Sequence, residues 1–190
     1  MPSIPAVQFE KTNPGWLAQT FAGLDDLPAP PESAAIEKRA LASHELGPRP
    51  LWSGYRSVAD YPTATTGTRT ANQVRSDATM GRLFAWLVMQ RRPEVVVEFG
   101  TAFGVSGMYW LAGIEASGIG THFTFEPNVN WAAIADRNLA GVSSHYRLTV
   151  GTFEENVESV LGGRRVDIAF VDAIHTGAFV RDQYSILRRH

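Results

Sequence analysis

The sequence predicts an α/β fold built on a doubly wound, mostly parallel sheet, and three observations carry that expectation. From Ser76 onward, apolar runs of strand length alternate with segments of helical period. The apolar run Val95-Val96-Val97 passes directly into the glycine-bearing turn Glu98-Phe99-Gly100-Thr101-Ala102-Phe103-Gly104, the arrangement in which a buried strand hands over to a helix. The 190 residues are 44% hydrophobic and 19% charged, enough apolar material for one domain with a full core.

The elements follow in order. Residues 1–75 read as an irregular accessory or lid segment, interrupted by prolines and by the unpatterned Thr63–Thr70 stretch. Two helices are expected within it: Asn13–Ala22, with Asn13 as cap and Pro14 in the first turn, and Glu32–Leu46, with Ile36, Ala40 and Leu41 among charged residues. Residues 76–190 read as the main domain. Ser76-Asp77 can cap a helix running to Gln90, with Met80, Leu83, Phe84, Leu87 and Val88 at helical spacing and Pro93 beyond its end. Strand Val95–Phe99, helix Val105–Ala116, strand His122–Glu126, helix Asn130–Leu139, strand Tyr146–Val150, helix Glu154–Leu161, strand Val166–Val171 and helix Gly177–Arg189 come next. Strand-helix-strand repetition implies crossover connections and a parallel sheet of the Rossmann-like kind.

Composition narrows the function. A formal charge of -2, from 17 basic and 19 acidic residues without a long block of one sign, leaves no footprint for nucleic acid or an anionic membrane. The absence of cysteine excludes disulfides, thiolate metal sites and cysteine nucleophiles. The start Met1-Pro2-Ser3-Ile4-Pro5 lacks the pattern of a secretory signal, and no apolar run approaches the length of a membrane span. A cytoplasmic enzyme acting on a small molecule is the expectation.

The glycine turn constrains the cofactor. A dinucleotide fingerprint needs a glycine where Ala102 stands, and a carboxylate at Glu98 would repel a pyrophosphate while suiting a cation. A dehydrogenase using NAD is therefore the weaker reading. Glu98 through Ser106 instead resembles motif I of the class I S-adenosylmethionine-dependent methyltransferases, nearest the small-molecule O-methyltransferase branch. Phe123-Thr124-Phe125-Glu126-Pro127-Asn128 resembles that family's second strand with its terminal acid, Gly151-Thr152-Phe153 falls at the adenine loop, and Asp167 through His175 resembles the fourth strand with its acidic end.

The resemblance covers roughly residues 76–190 and implies S-adenosylmethionine as cofactor, with Glu98, Gly100, Thr101, Gly104, Ser106, Glu126, Thr152, Phe153 and Asp172 as its contacts. From the residues alone, Glu126 suits a bidentate grip on a vicinal diol, or is a solvated strand-end acid. Glu98 would stand near the cofactor's amino group, or pair with an arginine or with backbone amides. Thr152 is also placed to start a helix, with Glu155 completing a capping box. His175 beside Asp172 is the expected catalytic pair, the imidazole taking a proton from an attacking hydroxyl; the alternative is a structural loop histidine. Trp52, Tyr55, Tyr61 and Trp86 could face an acceptor or lie in the core.

Metal-dependent relatives place a second acid where Ile174 stands, so no metal is expected. The family's sheet also has three further strands after the fourth, and these are missing here. Strand four is then expected as an unpaired edge, completed by the rest of a longer protein, a second copy or another chain. That gap keeps open a second reading, an incomplete or non-catalytic methyltransferase-like module.

Overall fold

The computed structural model describes residues 27–57 and 67–190. The expected helix Asn13–Ala22 and the aromatic Tyr61 lie outside the described residues. Helix α1 (Ser33–Glu45) is followed by a two-stranded antiparallel ribbon, β1 (Arg49–Pro50) with β2 (Thr68–Arg69), and by a short turn of helix, α2 (Ala71–Val74). Then come α3 (Ala78–Arg91), β3 (Val95–Phe99), α4 (Val105–Ser117), β4 (Thr121–Glu126), α5 (Val129–Ala140), β5 (Tyr146–Val150), α6 (Phe153–Leu161), β6 (Ile168–Val171) and α7 (Gly177–Leu187).

The local chemistry explains the boundaries. Asp77, not Ser76, caps α3: its carboxylate accepts the Met80 amide at 2.8 Å. Arg92 closes that helix in the left-handed conformation, ahead of Pro93. Asn128 caps α5, its side-chain oxygen accepting from Asn130 and Trp131. Thr152 does occupy the N-cap of α6, but the expected box does not form, because its hydroxyl donates to the Glu155 carboxylate instead of accepting a backbone amide. The last strand begins two residues later than its apolar pattern suggests. Asp167 turns its carboxylate onto the Glu94 and Val95 amides while its own amide donates to the Val95 carbonyl at 3.1 Å, so it pins the start of β3 at the mouth of β6.

The four long strands form one parallel sheet in the order β5-β4-β3-β6. Period-two alternation divides β3 between two cores. Val96 packs with α1, α3 and α4 through Ile36, Ala40, Phe84, Val88, Tyr109 and Trp110. Val95, Val97 and Phe99 face α6 and α7 with Phe125, Phe153, Val157 and Leu161. The chain thus winds outward from β3 with α4 and α5 on one face, then returns across the sheet to β6 with α6 and α7 on the other. The reversal falls between β3 and β6, and the crevice outside their carboxyl ends is where ligands bind in such sheets. Ile36 and Ala40 are fully buried, so α1 is a working part of the first core. Among the described residues no helix is long and apolar enough to cross a membrane.

Candidate active site

Three strand ends converge at the reversal. After β3 the chain turns through Gly100 (φ +85°), Ala102 (φ +49°) and Gly104 (φ +81°), the last being the N-cap of α4. Gly100 is required sterically. A Cβ there would stand 2.8 Å from the Asp172 carbonyl oxygen and 2.9 Å from Ala173 Cα, so the loop lies directly on the end of β6. Gly100→Ala should therefore cost about 2–4 kcal/mol, from left-handed strain plus forced separation of the two strand ends. A fall in the urea midpoint at unchanged slope would record it.

Glu126, at the end of β4, reaches across to this loop. One carboxylate oxygen accepts the Ala102 amide at 2.8 Å, which explains the left-handed turn at a residue with a side chain, and the other accepts the Asn128 amide at 2.9 Å. The side chain is only 4% exposed. Burial pushes its carboxyl up to about 7; the two amides pull the other way, and the charge of Glu98 adds to the rise.

Two cavities meet at Glu126. The larger, about 250 Å³, is lined by Gly100, Thr101, Ala102 and Ser106 on the loop and helix side and by Asp172 and His175 beyond β6; Tyr55, Arg69, Gln73 and Arg75 come from the segment before α3. The smaller, about 40 Å³, lies on the other side between Phe125, Thr152, Phe153, Ile174 and Phe179, with Trp52 at its margin. Glu126, Gly100, Tyr55 and Ala173 belong to both. A carboxylate at the junction of an apolar slot and a polar chamber is placed as a nucleoside with a polar tail requires: ring on one side, diol at the acid, tail on the other.

Asp172 and His175 are joined, His175 Nε2 standing 2.9 Å from Asp172 Oδ1. The imidazole is largely exposed into the mouth of the cavity. The Asp172 carboxyl is raised from its ordinary value, burial outweighing the lowering effect of the His175 contact. If the Nε2 proton is donated to Asp172, Nδ1 carries the free lone pair.

The structure thus brings together Gly100, Thr101, Ser106, Glu126, Asp172 and His175, and sets Thr152 and Phe153 at the smaller slot. Phe153 is itself core, packed against Phe99 and Phe125, so it offers that slot an edge. Gly104 shapes the turn beneath the cavity without lining it, its backbone close to Ala135 of α5. Glu98 is the exception and lines neither cavity: alternation puts it on the Val96 face, under α4, where it accepts from the Thr124 hydroxyl at 3.0 Å. Trp86 is buried in α3, away from both cavities, whereas Trp52 and Tyr55 do line them. Leu51, Arg69, Gln73, Trp131 and Phe179 escaped the sequence reading. The Thr70 to Gln73 side-chain pairing that starts α2 was the one local signal in that region. Among the described residues no group of three or more histidines and carboxylates is placed to hold a metal ion.

Residues 97–190 match a family model described as a methyltransferase domain. A protein named "Putative O-methyltransferase" from Mycobacterium sp. strain KMS is 28% identical over 111 residues, which is 57% of this chain and 50% of that protein, so the chain spans half the length of the curated relative. The O-methyltransferase TomG from Streptomyces achromogenes, solved with SAM, superposes with a TM-score of 0.59 at 21% identity, covering 82% of this chain and 59% of its own. Cofactor-bound Rv0187 from MTB superposes with a TM-score of 0.53 at 25% identity, covering 85% and 68% respectively. Residues 97–190, just under half of the chain, thus match a methyltransferase domain, and the strand order and the glycine loop at the reversal point are those of a Rossmann-like α/β sheet.

Proposed function

We infer that the chain takes part in methyl transfer from S-adenosylmethionine to a hydroxyl oxygen of a small molecule. The observation that carries this reading is the position of Glu126, a buried carboxylate at the junction of an apolar slot and a polar chamber beneath a glycine loop. Its two oxygens each retain acceptor capacity for a ribose hydroxyl after taking one amide. Phe125, Thr152, Phe153 and Ile174 supply the apolar wall on the side where adenine would lie, the slot of about 40 Å³ having to widen to admit the ring, while Gly100, Thr101 and Ser106 face the amino-acid tail near the positive end of α4.

When bound, the cofactor supplies an electrophilic methyl group on a cationic sulfur. The chain's part is to exclude water, align the acceptor and hold its proton. Asp172 orients the His175 ring through the 2.9 Å contact, and the free ring nitrogen accepts the hydroxyl proton as the oxygen attacks. Asp172 orients that ring as an acceptor only while its carboxyl is ionised, and burial raises the carboxyl, so turnover should fall as the pH drops toward its protonation. A small-molecule acceptor and a cytoplasmic location belong to the same proposal, the former supported by the role of TomG in tomaymycin synthesis.

Calorimetric titration of S-adenosylhomocysteine tests the cofactor assignment, and absence of heat with folded protein removes it. His175→Ala should leave that affinity within about twofold and lower the rate at which S-adenosylhomocysteine forms from S-adenosylmethionine in the presence of a phenolic acceptor by about a hundredfold or more. An unchanged rate would reduce the histidine to a loop contact.

A further inference from the structure

The ribbon over the larger cavity sets two arginines face to face. Arg49 on β1 is registered directly opposite Arg69 on β2, a cross-strand arrangement in which like charges repel. Neither has a carboxylate partner among the described residues. Arg69 Nη1 donates only to the adjacent Thr68 carbonyl at 3.0 Å, and Arg49 Nε is buried with no hydrogen-bond partner among the described residues. Arg75, on the same lining, is different: Glu37 neutralises it at 2.9 Å. Arg69 therefore brings an uncompensated guanidinium to the cavity wall, with Arg49 behind it, while the acids on the floor are already engaged, Glu126 by two amides and Asp172 by His175. Opposed cations that have no anion among the described residues are the chemistry of a site for an external one, and a guanidinium fork selects a planar carboxylate.

We propose that Arg69, supported by Arg49 across the ribbon, recognises a carboxylate on the methyl acceptor, making the acceptor a hydroxylated ring acid. The inference rests on the methyl-transfer reading of the cavity and adds to it the substrate class. A cavity of about 250 Å³ lies at the small end of ligand sites, and since the cofactor's tail shares it, it leaves room for no more than a single ring. Leu51 and Tyr55 supply apolar and aromatic wall for that ring, and the carboxylate at Arg69 would fix which hydroxyl is directed toward His175.

The test pairs 4-hydroxybenzoate with its neutral amide, titrated calorimetrically into wild type, Arg69→Gln and Arg69→Lys, with and without saturating S-adenosylhomocysteine. Wild type should bind the acid about tenfold or more tighter than the amide. Arg69→Gln should lose that preference while keeping S-adenosylhomocysteine affinity within about twofold, and Arg69→Lys should keep part of it, since charge remains but the fork is gone. Arg49→Gln should weaken the acid by about threefold through the lost supporting charge. Equal binding of acid and amide by wild type, binding of neither, or loss of S-adenosylhomocysteine affinity in Arg69→Gln would each overturn the proposal, the last by assigning the arginine to the cofactor's own carboxylate. Failure of wild type to bind S-adenosylhomocysteine would sink the methyl-transfer reading instead, and the titrations without it would still report on the arginines.

Discussion

Glu126→Ala should lower the affinity for S-adenosylhomocysteine by about a hundredfold or more, because it deletes both acceptors for the ribose diol in a site from which water is excluded. The same substitution orphans the amides of Ala102 and Asn128, so part of the loss would come from a relaxed loop. A pH series on the wild-type protein separates the two contributions. The diol donates to the ionised carboxylate, and burial has raised that carboxyl to about 7. Below that value the protonated form dominates, binding must expel a proton, and affinity should fall by roughly tenfold per pH unit; above it, affinity should level off. Gln at 126 cannot titrate and should show a flat profile across the same range. A wild-type profile as flat as that of Glu126→Gln would take the diol away from this residue.

The same shift has a consequence for stability, with a definite sign. A carboxyl whose folded value lies above its ordinary 4.5 holds a proton more tightly in the native state than in the unfolded chain. Its contribution is fully present below about 4.5 and is lost as the pH rises through 7, a total of about 3 kcal/mol for a group this buried. Urea midpoints on either side of that window should show wild type losing stability that Glu126→Gln retains.

Most of the architecture was legible because its signals are local. Val95–Phe99 and Tyr146–Val150 are apolar or alternating runs bounded by turn residues, and both strands fall where their pattern put them. The strand end at Glu126 was legible for the same reason: once the strand is known, so is the residue at its lip. The errors arose where a distant partner decided the outcome. Asp167 falls before the regular strand because its carboxylate takes the Glu94 and Val95 amides at the start of β3, a fact of register between strands far apart in sequence. Arg69 and Gln73 were invisible because the segment carrying them has no period of its own and is placed by the cavity it covers. Glu98 is the instructive case. The motif draws attention to it as a ligand contact, while parity with Val96 along β3 places it on the face that packs under α4, outside the lining of both cavities.

Thr124→Val should destabilise the protein by about 2–5 kcal/mol, and Glu98 is the reason. Glu98, Thr101, Thr124 and His122 form a line of polar side chains, each no more than 1% exposed. The Thr124 hydroxyl donates to Glu98 Oε2 at 3.0 Å, so in its 2.5 Å contact with Thr101 it must accept, and the Thr101 hydroxyl is the donor. The chain of bonds therefore runs from the cofactor loop inward and ends on the carboxylate. His122 Nε2 stands 3.2 Å from the same carboxylate, off the bonding direction, leaving both ring nitrogens and Glu98 Oε1 without a hydrogen-bond partner among the described residues. Such a network is expensive to interrupt, because removing the middle member strands a donor on one side and a charged acceptor on the other. Glu98→Leu should be comparably costly, yet the double variant Glu98→Leu/Thr124→Val should fall short of the sum by about 1–2 kcal/mol, since the second change removes a group the first has already orphaned. Because Thr101 belongs to the cavity lining, Thr124→Val should also weaken S-adenosylhomocysteine binding without touching the ligand. Strict additivity in the cycle, with unchanged ligand affinity, would mean that the four side chains are neighbours and nothing more. Coupling in both measurements would make the first carboxylate of the glycine turn the anchor of the loop, holding it from beneath while Glu126 holds it from the side.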